Sequence, residues 1–355
     1  MLLPKKYRNL TPLFCDDHQL IYAKGNKVFK SNYELQNPTL LGQYKNGLAK
    51  NFLAKTNFGS RIGRLGFHGL QPFQKGYIGI QRGNIVYKPK GNNLFKNVFS
   101  DFRGSRPLNI YVSPNQDWAC FGEYFGNKER ESVNTFSSTN GKDWQVAYTF
   151  PSKSIRHVHG IIQDDYRNGI WILTGDSNDE SALWFTSDRF KTLDKVISGS
   201  QKARAVEIIP TKEGLIVPMD SPMEKNYIHF FDIKNKTFTV LHELAGSAFH
   251  AIKSNDIYFV TTVTEPSEIN KTETTNVYAS LDGKQWRCIS KLKKDFVPIK
   301  YQGITRYSEI VIPPGVNSSK YIIGYARAVQ GGNFMLKWMK EEVLNFLKKE
   351  QATNE

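Results

Sequence analysis

The sequence predicts an all-β protein with the β-propeller fold, because a pair of short β-prone runs recurs along its 355 residues. In each pair, a turn separates a first strand from a second one. Equivalent positions in successive first strands lie 41 to 53 residues apart, and such a period with about four short strands per unit is typical of propellers. The positions taken as equivalent are His68, Asn109, His159, Val206, His250 and Gly303.

The clearest strand pair surrounds the dipeptide Asn168-Gly169, which is flanked by apolar runs. Asn-Gly between β-prone runs is a strong hairpin signal. Because the two strands of a hairpin are antiparallel, the start of the first lies beside the end of the second. The sequence therefore predicts that Arg156, His157 and His159 lie at the same sheet edge as Asp176.

The number of blades depends on how the two ends of the chain are assigned. Residues 20–31 form a further predicted hairpin, and residues 300–330 contain the last one. If each end carries its own inner hairpin, the propeller has seven blades, and we prefer this count. If residues 9–44 and 300–330 together close one blade, it has six. In both cases residues 1–332 form a single propeller domain.

Residues 333–355 are predicted to form a short amphipathic α-helix and a tail. Apolar residues recur at helical spacing at Leu336, Met339, Val343 and Phe346/Leu347, with Lys and Glu between them. Two interpretations follow for the helix at residues 334–349. Either it packs on the propeller, or it contacts an anionic membrane surface as a basic amphipathic helix.

Two turns between predicted third and fourth strands share a motif. Residues 138–144 read Ser-Thr-Asn-Gly-Lys-Asp-Trp, residues 280–286 read Ser-Leu-Asp-Gly-Lys-Gln-Trp, and residues 183–190 hold a weaker copy. The motif resembles the Asp box of the sialidase-like, BNR-repeat β-propellers. The acidic or amide side chain orders the turn backbone and the Trp packs between blades, so the motif supports the fold rather than a chemistry.

The sequence departs from true sialidases in one respect. Their Phe/Tyr-Arg-Ile-Pro motif is missing, and residues 60–63, Ser-Arg-Ile-Gly, lack its proline. The resemblance therefore implies a glycan-active propeller that is not a typical sialidase. That broader group includes seven-bladed polysaccharide lyases, which use His, Tyr and Arg residues.

Charge indicates the kind of partner. The net charge is +15 and the isoelectric point is near 9.5, which favours an acidic ligand, and we expect an acidic glycan. The basic residues are dispersed and match no nucleic-acid-binding module, which argues against nucleic acid.

The three cysteines fit neither a disulfide framework nor a zinc motif. With no signal peptide and no apolar run of membrane-spanning length, we expect a cytoplasmic protein, peripheral to a membrane if the C-terminal helix contacts one.

Titratable residues are concentrated at the strand ends that a propeller would bring to one rim. A lyase acting on a uronate needs an arginine for the carboxylate and a base such as histidine, whereas a glycosidase needs two carboxylates. The predicted catalytic residues are His159, His157, His250, Asp176, Glu123 and Asp220, and the predicted substrate-binding residues are Arg82, Arg204, Arg306, Arg327 and His68.

The sequence therefore predicts lyase or glycosidase action on an acidic oligo- or polysaccharide in an axial pocket, as in surface-polysaccharide metabolism. The alternative is a non-catalytic glycan-binding or scaffold propeller. The sequence requires no cofactor and no metal spacing is recognised, although His159, Asp176 and His250 are of types that bind divalent metals. Nucleotide-binding fingerprints and the Gly-x-Ser-x-Gly elbow are missing.

Overall fold

The computed structural model describes residues 1–45, 66–302 and 307–352, and its regular structure is mainly antiparallel β-strand. The first nine strands are β1 (Lys5–Arg8), β2 (Thr11–Cys15), β3 (Leu20–Lys24), β4 (Lys27–Ser31), β5 (Thr39–Tyr44), β6 (Phe67–Phe73), β7 (Gly76–Gln81), β8 (Asn84–Pro89) and β9 (Leu94–Phe99). The next eight are β10 (Tyr111–Val112), β11 (Ala119–Gly122), β12 (Val133–Ser138), β13 (Gln145–Phe150), β14 (His157–Asp164), β15 (Gly169–Gly175), β16 (Ala182–Thr186) and β17 (Asp194–Ser198).

A 3-10 helix at Gln201–Ala203 precedes the remaining elements. The strands are β18 (Ile209–Pro210), β19 (Leu215–Pro218), β20 (Tyr227–Asp232), β21 (Thr237–Glu243), β22 (Ala248–Ser254), β23 (Ile257–Thr262), β24 (Thr274–Ser280), β25 (Arg287–Lys293), β26 (Glu309–Val311), β27 (Tyr321–Val329) and β28 (Gly332–Met339). The helices are α1 (Ile299–Gln302) and α2 (Lys340–Ala352). Neither described helix has both the length and the apolar content needed to cross a bilayer.

The strands are organised as repeated four-stranded antiparallel groups, which are the blades of a β-propeller. Within the described ranges there are seven such groups, in agreement with the preferred blade count. Six follow chain order, namely β2–β5, β6–β9, β10–β13, β14–β17, β18–β21 and β22–β25. The seventh has the order β1-β28-β27-β26.

The chain divides into two compact units. Unit 1 comprises Met1–Gly66, Ser221–Ile228 and Val240–Glu355, and unit 2 comprises Phe67–Asp220 and His229–Thr239. The blades β2–β5, β22–β25 and β26–β28 with β1 belong to unit 1. The blades β6–β9, β10–β13 and β14–β17 belong to unit 2.

The last blade is completed by the start of the chain. Strand β1 pairs with β28, with Lys5 opposite Lys337 and Arg8 opposite Phe334. Nothing in the sequence predicted this pairing. The first strand of this blade was predicted around Gly303, whereas β26 (Glu309–Val311) takes that place in the structure. Residues 303–306 lie outside the described ranges.

The predicted helix at residues 334–349 is wrong in its first part, because residues up to Met339 belong to β28. Gly331 and Gly332 take positive φ values and reverse the chain after β27, so the following apolar run pairs with two strands. Its side chains are buried on both faces of the sheet, and such a run has no period that separates strand from helix. In α2, Val343 and Leu347 are buried in the core of unit 1. Met339, the last residue of β28, is exposed.

The two motif turns have matching geometry, as predicted. In one, the side-chain oxygen of Asn140 accepts hydrogen bonds from the backbone N–H groups of residues 142 and 143. In the other, Asp282 does the same for residues 284 and 285. Trp144 and Trp286 end their turns in equivalent positions, immediately before β13 and β25. Trp144 packs on Phe99.

Neighbouring blades of unit 2 are joined close to their inner strands. The Asn109 side chain donates to the carbonyl of Ile161 (2.8 Å) and accepts from the N–H of the same residue (3.2 Å). Gly122 lies so close to Val158 that a Cβ there would overlap its side chain. These contacts fix the position of β14, which carries the candidate site.

Candidate functional site

The predicted hairpin of residues 155–176 is present as strands β14 and β15. The pairing ends with Asp164 opposite Gly169 at the turn and with His157 opposite Gly175 at the other end. Asn168 has a φ of 51°, a conformation that asparagine tolerates in turns. Asp176 follows β15 directly, so the hairpin brings it beside His157 as predicted.

A β-bulge presents His159 to the same place. Val158 lies opposite Thr174 and Gly160 opposite Leu173, so His159 is the extra residue of β14. Bulges commonly redirect a side chain near functional sites. The His159 ring lies over Gly175, where an added Cβ would come within 2.5 Å of the ring atom Cε1. The glycine therefore makes room for the imidazole.

The two histidines and the aspartate converge through three atoms. Nε2 of His157 lies 3.1 Å from Nε2 of His159, and Oδ1 of Asp176 lies 3.4 Å and 3.1 Å from these two nitrogens. The opposite ring nitrogens face backbone carbonyls, with Nδ1 of His157 2.9 Å from the oxygen of Phe125 and Nδ1 of His159 3.0 Å from that of Ala205. Since a carbonyl oxygen only accepts, each Nδ1 donates. We call these three residues the His-His-Asp cluster.

Two arginines contact the carboxylate of Asp176. Arg156 donates from Nη1 to Oδ2 (2.7 Å), and Nη2 of Arg204 lies 3.3 Å from Oδ1. Arg204 also donates to the backbone carbonyl of Asp176 (3.1 Å) and lies 3.5 Å from Oδ2 of Asp220. The two arginines and the two aspartates balance in charge.

These contacts shift the ionisation of the cluster. Burial raises the pKa of Asp176, but the contacts with His157 and His159 and the charge of Arg204 outweigh it, so the pKa lies far below its usual range. Burial lowers the pKa of His159, and its contact with the carboxylate of Asp176 opposes this only in part. Asp176 is therefore ionised and His159 neutral at neutral pH.

Further arginine–carboxylate pairs lie on the connecting segments of unit 2. Arg103 pairs with Glu123 and, at 3.3 Å, with Glu131, and Arg130 pairs with Glu180. Glu180 also accepts from the backbone N–H of Asp176 (3.3 Å), which links this pair to the cluster. These pairs were not predicted from the sequence, because partners 20 to 50 residues apart leave no local pattern.

The structure brings together five of the predicted site residues, and these are His157, His159, Asp176, Arg204 and Asp220. Glu123 lies in a separate arrangement, where its carboxylate accepts from the Arg103 side chain, from the Arg103 backbone N–H (2.9 Å) and from the N–H of Asn134 (2.9 Å). The Tyr124 ring, which was not predicted, packs on His157 with centroids 4.3 Å apart.

The remaining predicted residues of unit 2 are His68 and Arg82. His68 is the extra residue of a bulge in β6, because Phe67 lies opposite Gln81 and Gly69 opposite Ile80. It is therefore equivalent to His159 in its blade, as the sequence predicts. Arg82 follows β7 and is exposed.

His250 and Arg327 form a second group, in unit 1, around Glu309. Arg327 donates to Glu309 (2.9 Å), and Nε2 of His250 lies 3.5 Å from the same carboxylate. The extra residue of the bulge in β22 is Phe249, so the predicted equivalence of His250 with His159 is wrong by one position. Arg306 lies outside the described residues.

Comparison with known proteins identifies the fold but no relative by sequence. No protein-family profile matches the chain, and no curated protein matches it. Three solved structures are similar over almost the whole chain. The first is the AfRom2 CNH domain, with 6% identity, a TM-score of 0.52 and coverage of 95% of this chain and 97% of that one. The second is a chain of the mitotic checkpoint complex, with 9% identity, a TM-score of 0.54 and coverage of 96% and 97%. The third is YCF48 bound to D1 peptide, with 10% identity, a TM-score of 0.54 and coverage of 95% and 97%. At these identities the similarity supports the β-propeller fold alone.

Proposed function

We propose that this chain is a non-catalytic scaffold propeller that binds an acidic segment of a protein partner. The proposal rests on the orientation of the two histidines that could act as a catalytic base, because their Nε2 atoms face other protein atoms rather than solvent. The Nε2 atoms of His157 and His159 face each other and Asp176, and both imidazoles are almost fully buried. A general base must come within hydrogen-bonding reach of the proton that it takes, and these nitrogens face other protein atoms instead.

The carboxylates support the same conclusion. A glycosidase needs one carboxylic acid whose pKa is raised so that it can donate a proton. The pKa of Asp176 is lowered instead, and Glu123 accepts hydrogen bonds from Arg103 and Asn134. Lyase or glycosidase action on an acidic sugar, which the sequence favours, is therefore less well supported than binding.

The proposed binding surface is the set of partly exposed arginines of unit 2. The side chains of Arg103, Arg130 and Arg156 are 35%, 29% and 31% exposed, and each is oriented by an ion pair. A guanidinium carries five N–H donors, and the described hydrogen bond of Arg156 uses one of them. The net charge of +15 attracts acidic ligands to such a surface.

A protein partner is favoured over a glycan by the similar structures. YCF48 is bound to D1 peptide in its structure, and another similar chain belongs to the mitotic checkpoint complex. Both names describe protein recognition. Acidic glycan binding, the partner predicted from the sequence, is the competing outcome of the test.

The test is fluorescence anisotropy with a labelled oligoglutamate peptide and a labelled oligogalacturonate, at low and at physiological salt. We expect salt-sensitive binding of the peptide, weakened about 3- to 10-fold by Arg156→Gln. Lys142→Gln is the matched control. Lys142 is exposed in the motif turn between β12 and β13, which lies at the end of that blade opposite to the arginines. Binding of the oligogalacturonate alone would establish the glycan alternative. Cleavage of it, or binding of neither probe, would overturn the proposal.

A further inference from the structure

We propose that the His-His-Asp cluster is a binding site for a divalent transition-metal ion, with Zn²⁺ the best match. Within the described ranges, His157, His159 and Asp176 form a group whose ligand atoms lie close enough to share one ion. Two imidazole nitrogens and one carboxylate oxygen are a donor set that zinc uses in proteins. The proposal is independent of the acidic partner proposed above.

The first argument is the hydrogen-bonding inventory of the three atoms. In each histidine Nδ1 donates to a backbone carbonyl, that of Phe125 or that of Ala205, so the neutral form of either ring has no N–H left on Nε2. In that form both Nε2 atoms are acceptors, and they face each other and a carboxylate oxygen. Three mutually facing acceptors need positive charge between them. One added proton bridges a single edge of this triangle, whereas a metal ion contacts all three corners.

The second argument is the size of the triangle. Its edges are 3.1, 3.1 and 3.4 Å. An ion about 0.9 Å out of the plane of the three atoms would lie about 2.05 Å from each, which is a normal Zn–N or Zn–O distance. Ligand atoms in a tetrahedral zinc site are about 3.3 Å apart by the same geometry. The spacing of the three ligand atoms therefore already matches that of a zinc site.

The third argument is the surrounding shell. Metal-binding histidines almost always donate their other ring N–H to a carbonyl or carboxylate, and both histidines do so here. Arg156 fixes the other carboxylate oxygen of Asp176. The positive charges of Arg156 and Arg204 act against a cation, but Asp176 and Asp220 balance them. Asp176 is 21% exposed, which gives an ion a route from solvent to its carboxylate, and a zinc ion held by three protein ligands would take water or an anionic group as its fourth ligand.

The test uses the full chain, stripped with chelator and then titrated with Zn²⁺ by calorimetry, with Co²⁺ as a spectroscopic probe. We expect about one ion per chain, visible absorption bands of Co²⁺ bound to nitrogen and oxygen, and a rise in Tm of about 4 °C at a hundredfold excess over Kd. His157→Gln and Asp176→Asn should each weaken binding at least about 100-fold. His229→Gln, a buried histidine of unit 2 outside the cluster, is the matched control and should bind like the wild type.

Circular dichroism establishes that each variant is folded. Failure of the wild type to bind Zn²⁺ with a change in Tm would overturn the proposal, as would equal binding by the wild type and either cluster variant. If both cluster variants fail to fold, the wild-type stoichiometry and the Co²⁺ spectrum decide. A spectrum with oxygen ligands alone would then place the ion elsewhere and refute the site.

Discussion

The replacement Gly175→Ala tests the packing on which the His-His-Asp cluster depends. An added Cβ would lie 2.5 Å from Cε1 and 3.0 Å from Nε2 of the His159 ring. The ring is held on its other side by the carbonyl of Ala205, so it has little freedom to retreat. Overpacking of a buried site costs about 1–3 kcal/mol, and we expect a loss of about 2–3 kcal/mol in the free energy of unfolding.

The measurement is urea unfolding followed by tryptophan fluorescence. Gly126→Ala is the matched control, because a Cβ at Gly126 meets no atom within 4 Å, and it should change stability by less than about 0.5 kcal/mol. Combining Gly175→Ala with His159→Ala removes the overlap. The double variant should therefore lose about 1–2 kcal/mol less than the sum of the single losses. Strict additivity, or a loss no larger than that of Gly126→Ala, would refute the packing argument.

Three further predictions concern the fold. Leu347→Ala, in the buried face of α2, should lower the free energy of unfolding by about 2–4 kcal/mol, and a melting temperature equal to that of Lys348→Ala would contradict the docked helix. Asp282→Ala removes an acceptor for two backbone N–H groups and should cost about 1–2 kcal/mol in urea unfolding, whereas Asp282→Asn should retain most of the stability. Burial lowers the pKa of His229 to about 4, so the unfolded chain binds the proton first and stability falls as pH drops from about 6.5 towards 4, by at most about 3 kcal/mol. His229→Gln should remove that part of the pH dependence. If the stability of the variant falls between pH 6.5 and 4 as much as that of the wild type, the prediction for His229 is wrong.

Local patterns predicted the parts of this protein that depend on local chemistry. Asn168-Gly169 determines a hairpin because its backbone preferences match the turn, and the motifs around Asn140 and Asp282 order their turns through their own side chains. The hairpin also brings His157 and His159 beside Asp176, because antiparallel pairing fixes which strand ends are neighbours. These features could be read from fewer than 25 consecutive residues.

Other features depend on the register of strands that are already paired. The bulge in β22 falls at Phe249 rather than His250, and a shift of one residue moves a side chain to the other face of a sheet. Residues 334–338 are buried on both faces of the sheet, so their sequence has no alternation that would separate strand from helix. Pairing with β27 and β1 makes them a strand.

The repeat, the turns and the residue types of the site follow from local sequence, because a turn is stabilised by interactions within a few residues. The meeting of distant groups does not: β1 pairs with β28 across the whole length of the chain, Arg130 pairs with Glu180, and Arg204 with Asp176. These contacts depend on how the strands and blades pack, and no local pattern in the sequence records them.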